Sequence, residues 1–198
     1  MITLCMDTSH VWLAAALIRD GELLAGIQKE CWKRQSEELI PTLDGMLKGA
    51  GLKPADIDRI VITEGPGSYT GVRIAMTAAK VFCALRNIPL YTISTLDLYA
   101  GNDTCRVVMD ARGKRVYTAA YEDGRIIEPQ SVRTVEELQE ADENLPVIGD
   151  GRLIGKADCV PDIPAKFLQT EKRWKKAENV HLVVPEYLKP SEAYLIKK

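Results

Sequence analysis

Apolar and polar positions fall into blocks that read as strand, strand, strand, helix, and the series then begins again. Residues 2–6 are largely apolar and stop at Asp7, which predicts a buried strand. Residues 10–18 predict a second strand, Asp20-Gly21 a hairpin turn and residues 23–32 a third strand. Ser36 followed by Glu37 and Glu38 predicts a helix start with Ser36 as the cap. Leu39, Leu43, Met46, Leu47 and Ala50 then recur at helical spacing, and Gly49 and Gly51 end the run. Pro41 falls inside this helix and is expected to kink it or delay its start. A strand is expected at about residues 59–63, and a helix over residues 70–86 carries Val72, Ala75, Met76, Ala79, Phe82 and Cys83 on one stripe. A short strand over residues 90–93 and a short helix capped by Ser94 or Thr95 close the first half at Gly101-Asn102-Asp103.

The second half opens as the first did. Residues 106–110 echo residues 3–7, residues 115–121 echo the second strand, and Asp123-Gly124 echoes Asp20-Gly21. Asp7 and Asp20 are 13 residues apart, as are Asp110 and Asp123. Val135-Glu136-Glu137-Leu138 supplies the next helix. Chance recurrence of a common hairpin is the competing account. Strand, acid and turn recurring in register favour a duplicated unit, with a first lobe over residues 1–102 and a second over residues 103–198. From Gly149 onward Pro161, Pro164 and Pro185 break the pattern, and little helix is expected.

Composition changes the picture only modestly. The 198 residues, 46% hydrophobic and 27% charged, are those of a globular α/β protein with a sizeable core. The net charge of −2 excludes a generic nucleic-acid binder. From Lys166 onward eight Lys and Arg stand against four Glu, so this tail is at +4 and the rest at −6. Five cysteines, odd in number and without a Cys-x-x-Cys pair, suggest neither a disulfide framework nor a zinc ribbon and fit a reducing cytoplasm. No signal peptide is read at the start, and the apolar run over residues 11–18 is too short to span a bilayer.

Candidate chemistry is sparse. Asp7 and Asp110 each end a strand; across a cleft between lobes they could hold a divalent cation on a nucleotide. The competing and favoured account is that each closes its own turn by Asx hydrogen bonds. Residues 64–73, Glu-Gly-Pro-Gly-Ser-Tyr-Thr-Gly-Val-Arg, form a glycine loop between strand and helix. Gly65, Gly67, Ser68, Thr70 and Gly71 could cradle an anion at the helix start, or simply permit close backbone packing. The loop is neither a Walker A sequence nor Gly-x-Gly-x-x-Gly. The two histidines, His10 and His181, form no metal-ligand cluster and mark no nucleophile. The basic and aromatic run over residues 171–176 could contact RNA, but reads better as a solvated surface. The helix stripes cover the sheet, and core packing alone explains them.

Residues 65–73 are similar to the Gly-Pro-Gly-Ser-(Phe/Tyr)-Thr-Gly-(Leu/Val)-Arg signature of the TsaB (YeaZ) family of bacterial tRNA threonylcarbamoyladenosine biosynthesis. Asp7-Thr8-Ser9, Ser36-Glu37-x-Leu39-x-Pro41, Ser94-Thr95-Leu96, Asp110-Ala111-Arg112 and Pro185-x-Tyr187-Leu188-x-x-Ser191-Glu192-Ala193 resemble further landmarks. The resemblance implies an actin/hexokinase-like ATPase fold of two ribonuclease-H-like lobes, the second abridged here. It implies a scaffold without a cofactor, the non-catalytic paralogue of the TsaD transferase. It also implies pairing with TsaD through the first-lobe helices, here Leu39, Leu43, Met46, Leu47, Val72, Ala75, Met76 and Ala79. The resemblance further implies that a TsaE-like ATPase joins and that tRNA is met only through the complex. Separately, an exposed apolar helix pair leads to the expectation of a homodimer when the chain is alone at high concentration. TsaD relatives carry His-x-x-x-His after the strand that follows the glycine helix; residues 94–99 here contain no histidine. The alternative is an ATPase or phosphotransferase using Asp7, Asp110 and the glycine loop. A glycopeptidase-like hydrolase is a third reading, opposed by the missing histidines.

Overall fold

The computed structural model describes residues 1–141 and 144–188. The landmark Ser191-Glu192-Ala193 and the tail charges Lys189, Glu192, Lys197 and Lys198 lie outside the described residues.

The first half runs β1 (Ile2–Asp7), β2 (Trp12–Arg19), β3 (Glu22–Glu30), α1 (Gln35–Gly49), β4 (Arg59–Gly65), α2 (Tyr69–Arg86), β5 (Leu90–Ser94) and α3 (Thr95–Ala100). The second half runs β6 (Cys105–Asp110), β7 (Arg115–Glu122), β8 (Arg125–Thr134), α4 (Val135–Glu140) and β9 (Val147–Gly149). In each half the first strand pairs antiparallel with the second and parallel with the one that follows the helix. Both Asp-Gly turns hold their two residues at positive φ, 51° and 84° in the first and 48° and 72° in the second. That is the hairpin geometry whose twist matches the flanking strands. The duplication expected from the sequence therefore holds at the level of topology.

The chain then departs from the repeat. α5 (Ile163–Gln169) packs on β2 and β3, and the short β10 (Lys175–Lys176) pairs antiparallel with β5. The first sheet thus has the order β10-β5-β4-β1-β2-β3, and the second β8-β7-β6-β9.

Side-chain alternation along the strands sorts the core into layers. Leu4, Met6, Leu13, Leu17, Ile60 and Ile62 point to one face of the first sheet, where α1 and α2 cover them. Cys5, Ala14, Ala16, Ile18 and Val61 point to the other, toward α3 and α5 and, beyond them, Val107, Met109, Tyr117 and Tyr121 of the second sheet. A small cluster, with Val108, Val116, Leu138 and Ile154, lies under α4.

Two helix details correct the expectation. α1 begins at Gln35, one residue before Ser36, and its cap position, Arg34, makes no side-chain capping bond. Gln35 is buried, and its Nε2 donates to the His10 carbonyl at 2.9 Å, which anchors the start instead. Pro41 neither delays nor divides the helix. It lies on the exposed side, as does Glu37, whose carbonyl it leaves without a helical donor.

Candidate functional site

The glycine loop is built by close approach. Ser68 caps α2, its Oγ accepting from the Gly71 amide at 3.2 Å. The Ser68 amide donates to the Ser9 carbonyl at 2.7 Å, and a Cβ on Gly67 would sit 2.5 Å from that same oxygen. A Cβ on Gly71 would collide with the Thr8 carbonyl. Thr8 Oγ1 donates to the Gly71 carbonyl at 2.6 Å and accepts from the Ala75 amide at 3.1 Å, which stitches the β1–β2 turn to α2. Gly65, at φ 111°, lies against Glu186, whose amide donates to the Glu64 carbonyl at 2.6 Å. Thr70 faces outward on the first turn of α2.

Asp7 and Asp110 both close Asx turns. Asp7 Oδ1 accepts from the Ser9 amide at 2.9 Å and from Thr63 Oγ1 at 2.6 Å, and Oδ2 accepts from the Tyr99 hydroxyl at 3.3 Å. Burial, with the Asp7 charge beside it, pushes the Tyr99 phenol up, so the hydroxyl keeps its proton. Asp110 Oδ1 accepts from the Arg112 amide at 2.7 Å, and Oδ2 pairs with the Arg112 guanidinium at 2.9 Å.

A cleft of about 560 Å³ lies between the halves, lined among others by His10, Gly67, Ser68, Asp110, Arg112 and Asp150. The expectation that two strand-end acids face each other is met on one side only. Asp7 is wholly buried behind the turn and does not line the cleft. The polar link across the cleft is instead His10 Nε2 to Asp150 Oδ2, at 3.0 Å, and Asp150 Oδ2 also accepts from the Asp110 amide at 2.7 Å. Burial pushes the Asp150 carboxyl up, but the His10 hydrogen bond and charge and the Asp110 amide together hold it below the usual range. Sequence reasoning missed Asp150, which follows a three-residue strand with no periodic signal.

Leu39, Leu43, Met46, Leu47, Val72, Ala75, Met76 and Ala79, expected at a partner interface, are all buried against the first sheet. The helical stripe is the inner face, so seven of the eight are turned away from any partner, and Leu39, though buried, also borders the outward groove. The outward faces of α1 and α2 form a separate groove of about 640 Å³, to which Ile40, Tyr69, Ile74, Val81 and Leu85 contribute. Ile40 is 60% exposed, Val81 55% and Leu85 82%. Large apolar residues off the buried stripe were the signal that could have found this face.

Residues 171–176 are solvated only in part, with Lys172, Lys175 and Lys176 exposed. Trp174 is buried, and its Nε1 donates to Thr170 Oγ1 at 3.3 Å, so its ring is unavailable for base stacking. The Arg173 guanidinium donates to the carbonyls of Gly124 and Gly101, and Glu171 pairs with Arg59 at 2.5 Å. Lys175 and Lys176 remain exposed. Residues 94–99 lie between the sheets, where Tyr121 donates to Asp97 at 2.6 Å. No helix among the described residues is long and apolar enough to cross a membrane.

Two sheets of repeated topology, opposed across a cleft, define a mixed α/β protein of two similar halves. Residues 27–145 match the family model described as TsaD, tRNA N6-adenosine threonylcarbamoyltransferase. The tRNA threonylcarbamoyladenosine biosynthesis protein TsaB of Bacillus subtilis (strain 168) is 31% identical over 221 residues, covering 98% of this chain and 96% of the relative. The alignment is longer than this chain, so that relative carries residues this one lacks. TsaB of Escherichia coli (strain K12) is 31% identical over 129 residues, covering 62% of this chain and 55% of the relative. YeaZ from Pseudomonas aeruginosa shares the fold with a TM-score of 0.76 at 21% identity, covering 94% of this chain and 99% of that one. The chain belongs to the TsaB (YeaZ) family, within the wider group whose family model is that of the TsaD transferase.

Proposed function

We propose that this chain is a non-catalytic scaffold in tRNA threonylcarbamoyladenosine biosynthesis. It would hold a TsaD-like transferase through the outward faces of α1 and α2. The observation that carries the reading is the exposed apolar groove with Ile40, Val81 and Leu85 on its surface. A patch of that kind on a soluble protein marks a partner site. The relatives named TsaB supply the process, and the absence of histidine from residues 94–99 supplies the lack of catalysis.

Within this reading the lobes divide near residue 102. A TsaE-like ATPase joins the pair, and tRNA is met only through the complex, in the cytoplasm. The chain self-associates when no partner is present. The nucleotide reading is the weaker one, because Ser9, Thr63 and Tyr99 already occupy the Asp7 carboxylate.

Co-purification with the TsaD-family transferase tests the scaffold. Leu85→Glu and Val81→Glu are expected to abolish it without lowering the melting temperature. Retention of the complex by both variants would refute the groove as the docking face. Titration with ATP and Mg²⁺ tests the alternative: saturable binding lost on substitution of Asp110 would favour it.

A further inference from the structure

Among the described residues, a single charged side chain lines the groove between α1 and α2. Of the residues that line it, Arg73 alone is ionic, and the rest are apolar or carry hydroxyls. The Arg73 guanidinium lies over the Tyr69 ring, 5.3 Å from its centroid, and Nη1 donates to the Tyr69 hydroxyl at 3.1 Å. The Tyr69 and Tyr187 rings stack with centroids 5.4 Å apart. Arg73 has no ion-pair partner among the described residues, whereas Arg34 and Lys48, at the two ends of α1, pair with Glu38 and Asp44.

A stacked aromatic pair orients a guanidinium without neutralising it. Once a partner covers the apolar floor, the charge at its rim loses water, and an unpaired charge in a desolvated contact is costly. A planar guanidinium held in one orientation is suited to two parallel hydrogen bonds to a carboxylate.

We propose that the partner element seated in this groove is an apolar helix face bearing an Asp or Glu that forms a two-pronged ion pair with Arg73. The proposal rests on the reading of the groove as the transferase-docking face. A second copy of this chain fits less well. Among the described residues its own groove lining offers no acid, and face-to-face pairing would bring two guanidinium groups into one apolar contact. Arg73 therefore favours the mixed pair over the self pair, a discrimination made by an unsatisfied charge.

The test measures affinity for the cognate TsaD-family transferase by titration calorimetry at low and high salt, and self-association by analytical ultracentrifugation. Wild type, Arg73→Gln, Arg73→Glu and Leu85→Glu are compared. Arg73→Gln is expected to weaken the mixed pair about tenfold or more, to flatten its salt dependence, and to leave self-association unchanged or stronger. Arg73→Glu is expected to lose the mixed pair, and reversal of one carboxylate on the transferase to Arg is expected to restore it. Unchanged affinity for Arg73→Gln, with binding lost for Leu85→Glu, overturns the carboxylate and spares the groove. Unchanged affinity in both overturns the groove as well. Equal weakening of mixed and self pairs by Arg73→Gln overturns the discrimination. Arg73 is exposed, so the folding of its variants is checked by an unchanged melting temperature.

Discussion

At Gly71 the space for a side chain is taken by the Thr8 carbonyl, and the same threonine grips α2 through its hydroxyl. Gly71→Ala is therefore expected to destabilise the fold by about 1–3 kcal/mol, read by chemical denaturation. Removal of the α2 cap by Ser68→Ala is expected to cost about 1 kcal/mol. Asp7→Asn replaces one acceptor of a buried group that receives three donors. A loss of about 1–3 kcal/mol is expected, and unchanged stability would show that the carboxylate is not held as described. The spacing of these glycines was legible in the sequence, but their reason was not. Thr8 and Ser9 lie far away along the chain, and only pairing of β1 with β4 brings their carbonyls under the loop.

α1 and α2 each have two apolar faces with different duties. The inner face buries Leu43 and Met76 against the sheet, and the outer face leaves Leu85 and Ile40 bare. Leu43→Ala is expected to lower stability by about 2 kcal/mol or more through lost burial and a residual cavity, with any loss of partner binding following from unfolding. Leu85→Glu should leave the melting temperature in place. A variant of Leu43 that folds normally yet loses its partner would contradict this division of faces. Helical periodicity identified the stripe correctly and could say which residues are buried. A period describes which residues share a face; residues that break it carry the information about what that helix meets next. The same limit applies to the start of α1, where a distant carbonyl, that of His10, holds Gln35 and makes a local cap at Ser36 unnecessary.

On the scale of the molecule, α3 and α5 lie between the two sheets, and one apolar cluster runs from Cys5 and Val61 through Leu98 and Phe167 to Met109 and Tyr121. Shared burial of this kind couples the halves, so scanning calorimetry is expected to show one transition; two resolved transitions would show that the halves unfold separately. The His10–Asp150 contact adds a pH-dependent link between them. The Asp150 carboxyl lies below its ordinary range in the folded state. Its contribution is thus complete above the unfolded carboxylate pKa and is lost as pH falls through the folded value. Asp150→Asn is expected to flatten the acid limb of the stability profile below about pH 4, measured by thermal unfolding between pH 3 and pH 7. The duplicated topology was legible because strand, acid and turn recur in register. α5 and β10 were not, because seven- and two-residue elements among prolines carry too few positions for any period. β10 nonetheless covers the outer margin of β5. A chain cut before Lys175 would leave that margin as an open seam of amides and carbonyls, to which a foreign strand could stitch itself.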